Sequence, residues 1–453
     1  MFLSIGFLLF FGVMTGLFFM LPVRWRPVLL LTGSYLLCGF LDMQALLVLV
    51  GVSLYTWKAG MVIKKQKAFL ILTVCLGITM LAVYKYVPFK SLVMPVGLSF
   101  YLFQAIGYLV DVYRGKTPAE RSFLYLSCHL AYFPKLVSGP IEREQDFLPQ
   151  LKAVKDVKFY DRGRLSTAFA YMLWGYFMKM VVADRLAMTV NQIFVEPEVF
   201  DSLYLAIGAF LYTIQIYCDF AGYSYIAIGC SLVFGIRLAQ NFKAPYCAEN
   251  ITDFWRRWHV SLSTWLRDYL YIPLGGNQKG IARKCLNTII VFLVCGMWHG
   301  VGFQFVVWGL LHGIYSVIDT LIRKARWKIR GGRIWTFLAV AFAWIFFRAE
   351  SLGAAMNYVI RMFTAGISPA MWKQYALQLS LGKVEISVII ACVIIIWLAD
   401  EFCDSKKLHL PVLLQQKENA ARYFVFYVLI VAIFIFGMYG PGYHAEQFIY
   451  MQF

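Results

Sequence analysis

The chain has 453 residues, of which 61% are hydrophobic and 15% charged, whereas soluble domains carry about 25% charged residues. This composition excludes a soluble globular enzyme, a disordered tail and a secreted disulfide scaffold, and it indicates a protein whose solvent is lipid. Lys and Arg number 42 against 24 Asp and Glu, which gives a net charge of +18. The basic residues lie between apolar runs, as in the cytoplasmic loops of membrane proteins, so we do not expect nucleic-acid binding.

The first apolar run, residues 2–21, is long enough to cross a hydrocarbon core of roughly 30 Å. It lacks a positive n-region and a small-residue cleavage site, which predicts a retained helix rather than a signal peptide. Arg24 and Arg26 follow directly and predict an external N-terminus with a cytoplasmic first loop. The stretch 27–57 is then predicted to fold back as two short helices around Asp42.

The later apolar runs predict further membrane segments, several of which are too short to cross without tilting or partial insertion. They are 68–87, 92–112, 165–182, 203–219, 223–234, 288–300, 303–322, 334–347, 386–398 and 423–438. We expect an all-α polytopic membrane protein with about 10–13 transmembrane or re-entrant helices. No repeat or low-complexity linker is visible, which predicts a single membrane domain over residues 1–453.

The segment 122–139 is apolar enough to insert, yet basic residues flank it on both sides. A full crossing would place one of the two basic sets outside, against the positive-inside tendency. The segment also contains Pro134 and Gly139, which break helices. We therefore predict a re-entrant or buried excursion, a feature that usually surrounds a pocket.

The run 254–276 is too charged to span a membrane and too aromatic to be a solvated loop. Its apolar residues recur at helical spacing: Trp255, Trp258, Leu262, Trp265 and Leu266. The pattern by itself favours an interfacial amphipathic helix with an aromatic belt. The functional alternative places Arg256 and Arg257 beside an anionic donor.

A second candidate is the sequence Gly-Met-Trp-His-Gly at 296–300, inside an apolar run. A lone histidine there is commonly a hydrogen-bonded core residue. The flanking Gly296 and Gly300 allow a close approach of other groups, and a polar ring kept within a membrane indicates a function for His299. His312 is a third polar ring and a candidate structural partner.

The third region comprises the helix breaks at 94–97 and 133–143. Six polar residues in apolar context accompany them: Gln104, Asp111, Lys135, Gln215, Asp219 and Asn241. A shared cavity and a set of paired structural charges explain them equally well.

Two histidines, His259 and His299, suit acyl transfer. One imidazole can take the proton of an attacking hydroxyl, while another polar group orients a reactant or stabilises charge. The chain has no G-x-S-x-G elbow, P-loop or H-E-x-x-H sequence, which argues against a serine hydrolase, an NTPase and a zincin. Direct transfer between two substrates is the simplest remaining mechanism, and we expect no metal site.

The runs 94–100, 111–115, 133–143, 254–276 and 298–300 together resemble the membrane-bound O-acyltransferase family. Within it, they are most similar to bacterial polysaccharide O-acetyltransferases of the alginate type. The resemblance extends over about residues 90–350. It implies helices around a central tunnel that joins a cytoplasmic donor entrance to an extracellular acceptor side.

The same resemblance implies roles for individual residues. His299 matches the nearly invariant histidine that acts as general base, and His259 matches the second polar position of the active site. Arg256, Arg257 and Trp258 are the candidate donor-binding residues, since Arg suits bidentate contacts with phosphate.

The expected co-substrate is acetyl-CoA or another acyl thioester, with no bound cofactor. The expected acceptor is an extracellular polysaccharide, reached directly or through an extracellular acyltransferase partner protein. The protein would then be a multi-pass protein of the cytoplasmic membrane, with the lipid bilayer around it.

Two other functions fit parts of the sequence. The runner-up is a D-alanyl transferase of the same family, which uses a carrier-protein thioester and serves teichoic acid. A transporter or flippase would also use buried charges and broken helices, but such proteins often show two related halves, and none is visible here.

Overall fold

The computed structural model describes residues 2–63, 66–87, 94–137, 139–327 and 330–439. Across these ranges the chain forms helices and turns, without a strand. Among the described residues, eight helices are long and apolar enough to cross a membrane, and Ile5–Met20 and Leu98–Tyr113 are shorter apolar helices. The protein is therefore an all-α polytopic membrane protein, which confirms the predicted fold class.

The chain forms two compact units, Met1–Met172 with Tyr223–Gln240 and Leu173–Gly222 with Asn241–Phe453. The helices of the first unit are α1 Ile5–Met20, α2 Arg26–Leu41, α3 Met43–Val62, α4 Lys67–Tyr86, α5 Leu98–Tyr113, α6 Phe123–Ala131 and α7 Glu144–Lys152. Helices α8 Arg162–Tyr176 and α10 Ser202–Val233 contribute residues to both units.

The second unit holds the longer C-terminal part of the chain. Its helices are α9 Asp184–Val195, α11 Ile251–Arg257, α12 Val260–Leu266, α13 Gly280–His299, α14 Phe303–Lys324, α15 Gly332–Arg348, α16 Leu352–Thr364, α17 Trp372–Gln378, α18 Lys383–Lys406, α19 Leu410–Gln415 and α20 Asn419–Phe436.

In the first unit, Asp42 separates α2 from α3, as the sequence predicts. Its carboxylate accepts a hydrogen bond from the backbone N–H of Gln44 at 2.9 Å and so caps α3. Arg26 is buried rather than solvated in a loop. Its guanidinium donates to the carbonyl oxygens of Phe18 at 3.0 Å and Val157 at 2.8 Å, so it ties the end of α1 to a distant turn.

The predicted re-entrant segment contains the short helix α6. Its nine residues rise only about 13 Å, and turns follow from residue 133 to residue 137. The buried Lys135 donates to the carbonyl of His129 at 2.5 Å and to the side-chain oxygen of Gln104. The segment is thus a short, interrupted helix with an internally bonded lysine, as the prediction of a broken excursion requires.

Helix α10 corrects the sequence prediction, which divided it into spans at 203–219 and 223–234. It is one helix of 32 residues. Gly222 lies inside it, where an added Cβ would be 2.8 Å from the carbonyl oxygen of Gly175. The glycine therefore permits a close approach of two backbones instead of ending the helix.

The run 254–276 is also not the single amphipathic helix that its pattern predicts. Helix α11 ends at Arg257, His259 adopts a left-handed conformation (φ 41°, ψ 54°), and α12 starts at Val260. The backbone N–H of Val260 donates to the carbonyl of Asn241 at 3.0 Å, and that of Lys243 donates to the carbonyl of Arg257 at 3.0 Å. Tertiary hydrogen bonds to residues 241–243 therefore stabilise a break that helical periodicity cannot reveal.

Helices α13 and α14 pack along each other through glycines. A Cβ added to Gly309 would overlap the carbonyl oxygen of Phe292, and one added to Gly296 would overlap that of Phe305. Small residues of this kind let membrane helices approach to backbone contact. The ends of both helices next to His299 are fixed in this way.

We predict that Gly309→Ala destabilises the protein, because the new methyl group must push α14 away from α13. The expected loss is about 1–3 kcal/mol, as for other overpacked sites. Thermal unfolding of the purified protein in detergent measures it. Gly51→Ala is the matched control, since a Cβ at this glycine of α3 meets no atom within 4 Å. Equal unfolding temperatures for the two variants would contradict the packing argument.

Candidate active site

His299 is the last residue of α13 and is 3% exposed. Three aromatic side chains surround its imidazole. The ring centroids of Trp298, Trp308 and Phe347 lie 4.7, 5.0 and 5.2 Å from that of His299. The two indoles and the phenyl ring form an aromatic cage around the imidazole, which holds it away from bulk solvent.

His259 lies at the break between α11 and α12 and is fully buried. Its ring packs edge-on against Phe220, with centroids 4.7 Å apart. Burial lowers the pKa of His259 to about 3, so the imidazole is uncharged at neutral pH. A left-handed conformation at a residue other than glycine costs free energy, and such strain concentrates at functional sites.

The structure brings the two predicted histidines to one indole. The ring of Trp298 lies 4.7 Å from that of His299 and 6.4 Å from that of His259. The left-handed turn is held by Asn241, whose side-chain oxygen accepts from the hydroxyl of Ser261 at 2.7 Å. Residues far apart in sequence thus meet at one indole.

The three predicted donor-binding residues have different environments. Arg256 is exposed and, within the described ranges, forms no ion pair. Arg257 is half-buried between two carboxylates, Asp253 at 2.9 Å and Asp404. Arg256 is therefore the one of these two arginines whose charge is available to an incoming anion.

Trp258 lies in the aromatic interior of the second unit and is 1% exposed. Its ring is 5.0 Å from each of Phe242 and Trp344 and stacks on Phe254 at 5.6 Å. These contacts make Trp258 part of the buried aromatic packing at the residue preceding His259.

One residue of the cage, Trp308, was not singled out from the sequence, whereas His312 was named as a candidate structural partner. Trp308 lies on α14, where its indole is perpendicular to the imidazole of His299. His312 lies one turn further along, and its Nδ1 accepts a hydrogen bond from Nε1–H of Trp255 at 3.2 Å. The only signal available was an indole and an imidazole four residues apart in an apolar run, which place both on one helix face.

Lys179 was likewise missed, although a lysine inside the apolar run 165–182 was visible. It lies on the π-helical turn Phe177–Ala183 and forms buried ion pairs with Asp184 at 2.7 Å and Asp219 at 2.5 Å. In the first unit, Asp111 pairs with Lys116 at 3.7 Å and Arg143 at 3.8 Å. For Asp111 and Asp219, two of the six polar residues noted in the sequence, the interpretation as paired structural charges is confirmed.

Over the described part of the chain, no group of three or more His, Cys, Asp or Glu side chains could hold a metal ion.

Comparison with known proteins identifies the family. The model of the membrane-bound O-acyltransferase family matches residues 121–355. The chain is 35% identical over 395 residues to the probable alginate O-acetylase of Pseudomonas putida, which covers 79% of each protein. It is 32% identical over 411 residues to the peptidoglycan O-acetyltransferase of Helicobacter pylori, covering 79% of this chain and 76% of that protein.

A more distant relative is the teichoic acid D-alanyltransferase of Bacillus subtilis. It is 27% identical over 275 residues, which are 57% of this chain and 68% of that protein. The O-acetyltransferases therefore match more of the chain at higher identity, and all three relatives are transferases rather than transporters. The chain belongs to the membrane-bound O-acyltransferase family and is an O-acyltransferase.

Proposed function

We propose that the protein moves an acetyl group from a cytoplasmic thioester, acetyl-CoA, to a hydroxyl of an extracellular polysaccharide. The observation that carries the proposal is the pair of buried imidazoles, His299 and His259, beside Trp298 in an O-acyltransferase built of membrane-spanning helices. The higher identity to the two O-acetyltransferases than to the D-alanyltransferase supports acetyl as the transferred group.

In the proposed reaction, His299 accepts the proton of the attacking hydroxyl. The hydroxyl oxygen bonds to the thioester carbonyl carbon, and the carbonyl oxygen becomes an oxyanion. When the carbon–sulfur bond breaks, the thiolate leaves and takes the proton that His299 accepted from the hydroxyl. The uncharged His259 orients a reactant or contributes to oxyanion stabilisation, since it can donate a hydrogen bond without carrying a competing charge.

The distribution of basic residues supports a membrane orientation. Arg283 near the start of α13 and Arg323 near the end of α14 mark one end of this helix pair, and the positive-inside tendency assigns that end to the cytoplasm. His299 is then about 24 Å along α13 from Arg283, at 1.5 Å per residue. A hydroxyl from the outside and a thioester from the inside would meet at this depth. The external N-terminus and the cytoplasmic membrane are proposed on the same basis.

The proposed acceptor is a polysaccharide hydroxyl, reached directly or through an extracellular partner protein. One relative is named for alginate and another for peptidoglycan. These are different polymers, but both contain sugar hydroxyls that can act as nucleophiles. The shared chemistry is an O-acetyl ester on a carbohydrate outside the membrane.

A second candidate is D-alanyl transfer to teichoic acid, which the match to the Bacillus subtilis protein favours. Mass spectrometry of the cell-surface polymer separates the two, because acetyl and D-alanyl esters differ in mass. We expect the acetyl esters to disappear when the gene is deleted. Loss of D-alanyl esters instead would establish the second candidate.

We predict that His299→Gln abolishes acyl transfer, since glutamine fills similar space but cannot act as a base near neutral pH. Labelled acetyl-CoA supplied to the purified protein, with identification of the labelled product, measures the effect, and a loss of about 10²–10⁴-fold is expected. His409→Ala is the control, because it removes a histidine at the start of α19. Unchanged transfer by His299→Gln would reject the assignment of the base.

We predict that Arg256→Gln raises the KM for acetyl-CoA about three- to tenfold and leaves kcat nearly unchanged, because an exposed arginine contributes to phosphate binding but not to the chemical step. The increase should shrink as salt concentration rises. Arg24→Gln removes another exposed arginine and is the control. The donor-binding role fails if both variants have the same KM.

A further inference from the structure

Two buried N–H groups on α14 have no hydrogen-bond acceptor within the described ranges. One is Nε1–H of Trp308, and the other is at Nε2 of His312. Both side chains are 0% exposed. Since nearly all buried donors in proteins are paired, two orphan donors side by side require an explanation.

The proton on His312 can be placed from its other nitrogen. Nδ1 accepts a hydrogen bond from Nε1–H of Trp255 at 3.2 Å, so Nδ1 carries no proton. A neutral imidazole then carries its proton on Nε2. His312 is therefore a fixed donor on the same helix face as Trp308, one turn away.

The two donors belong to adjacent rings. The centroids of Trp308 and His312 lie 5.0 Å apart, and Trp308 is itself 5.0 Å from His299. Both rings also pack against Trp344, at 5.7 and 6.1 Å. Trp308 therefore contacts both His312 and His299, and aromatic side chains surround the two donors.

The chemistry of the two donors indicates which group they would bind. A water molecule that accepts from both donors must also place its own two hydrogens, and the indole rings of Trp308 and Trp344 have no acceptor nitrogen or oxygen. A carbonyl oxygen or an oxyanion needs only donors. The thioester carbonyl must also lie close to His299 during attack by the hydroxyl.

We infer that Nε1–H of Trp308 and Nε2–H of His312 form the oxyanion hole of the acyl transfer. The inference rests on the proposed function and adds catalytic residues to it. When the hydroxyl oxygen bonds to the carbonyl carbon, the electron pair of the C=O bond moves to oxygen, which accepts hydrogen bonds from both donors. When that pair reforms the double bond, the carbon–sulfur bond breaks and the thiolate takes the proton from His299.

The first test is Trp308→Phe, which keeps an aromatic ring but removes the N–H. Release of coenzyme A by the purified full chain is measured with acetyl-CoA and with dithioacetyl-CoA, in which sulfur replaces the carbonyl oxygen. Alginate oligosaccharide is the acceptor probe. We expect kcat with acetyl-CoA to fall about 10²–10³-fold, as for loss of one oxyanion-hole donor. With the dithioester the loss should be less than about tenfold, because sulfur accepts hydrogen bonds poorly.

A second variant pair tests His312 independently of folding. His312→Gln keeps an N–H donor near the position of Nε2, and His312→Leu removes it, so the glutamine variant should retain at least about tenfold more activity. Tyr315→Phe is the control, since it removes a hydroxyl from a ring 6.0 Å from His312. Detergent-purified variants that elute as the wild type show that folding is preserved.

The outcomes separate the two levels of the argument. If Trp308→Phe loses equal activity with acetyl-CoA and with dithioacetyl-CoA, or keeps an unchanged kcat, the oxyanion hole is overturned and the acyltransferase function still stands. If the wild-type protein releases no coenzyme A from acetyl-CoA, then the proposed donor fails, and the inference fails with it.

Discussion

The glycine-mediated contact between α13 and α14 is the constraint on which the site depends. Because Gly296 and Gly309 have no side chain, each helix meets the carbonyl oxygens of the other directly. This proximity lets the indole of Trp308 reach the imidazole of His299 across the pair. A larger residue at either glycine would move the helices apart and separate His299 from the indole of Trp308. The arrangement of His299 and Trp308 is therefore a consequence of how closely the two helix backbones pack.

The second constraint is the interruption at His259. A continuous helix through 254–266 would satisfy the local hydrogen bonds, yet the chain pairs with residues 241–243 instead. The left-handed backbone of His259 places its ring against Phe220 and near Trp298. Burial keeps the ring neutral, so His299, the proposed base, lies beside the same indole as an uncharged imidazole.

The sequence predicted most of the fold because lipid imposes simple rules. Apolar length located α1, α4, α13, α14 and α20 within a few residues at one end or both, and Asp42 was correctly placed between two helices. The predicted helix boundaries are wrong where tertiary contacts determine whether a helix continues or ends. Gly222 reads as a break but serves a backbone contact, and the break at His259 depends on Asn241, which local periodicity cannot see. Family resemblance pointed to His299 and His259, whereas Trp308 and Lys179 contact Trp344 and Asp219, which are distant in sequence.

In the proposed reaction, the burial of His299 also affects how much of the thioester donor is lost to hydrolysis. Thioesters hydrolyse when an activated water reaches the carbonyl, and a base that activates alcohols will activate water as well. Trp298, Trp308 and Phe347 leave the imidazole almost no contact with solvent. In the proposed reaction these rings must part before a sugar hydroxyl can reach the imidazole. Such an enclosure would favour esterification over futile breakdown of the activated acyl group, even though water is far more abundant than any polymer.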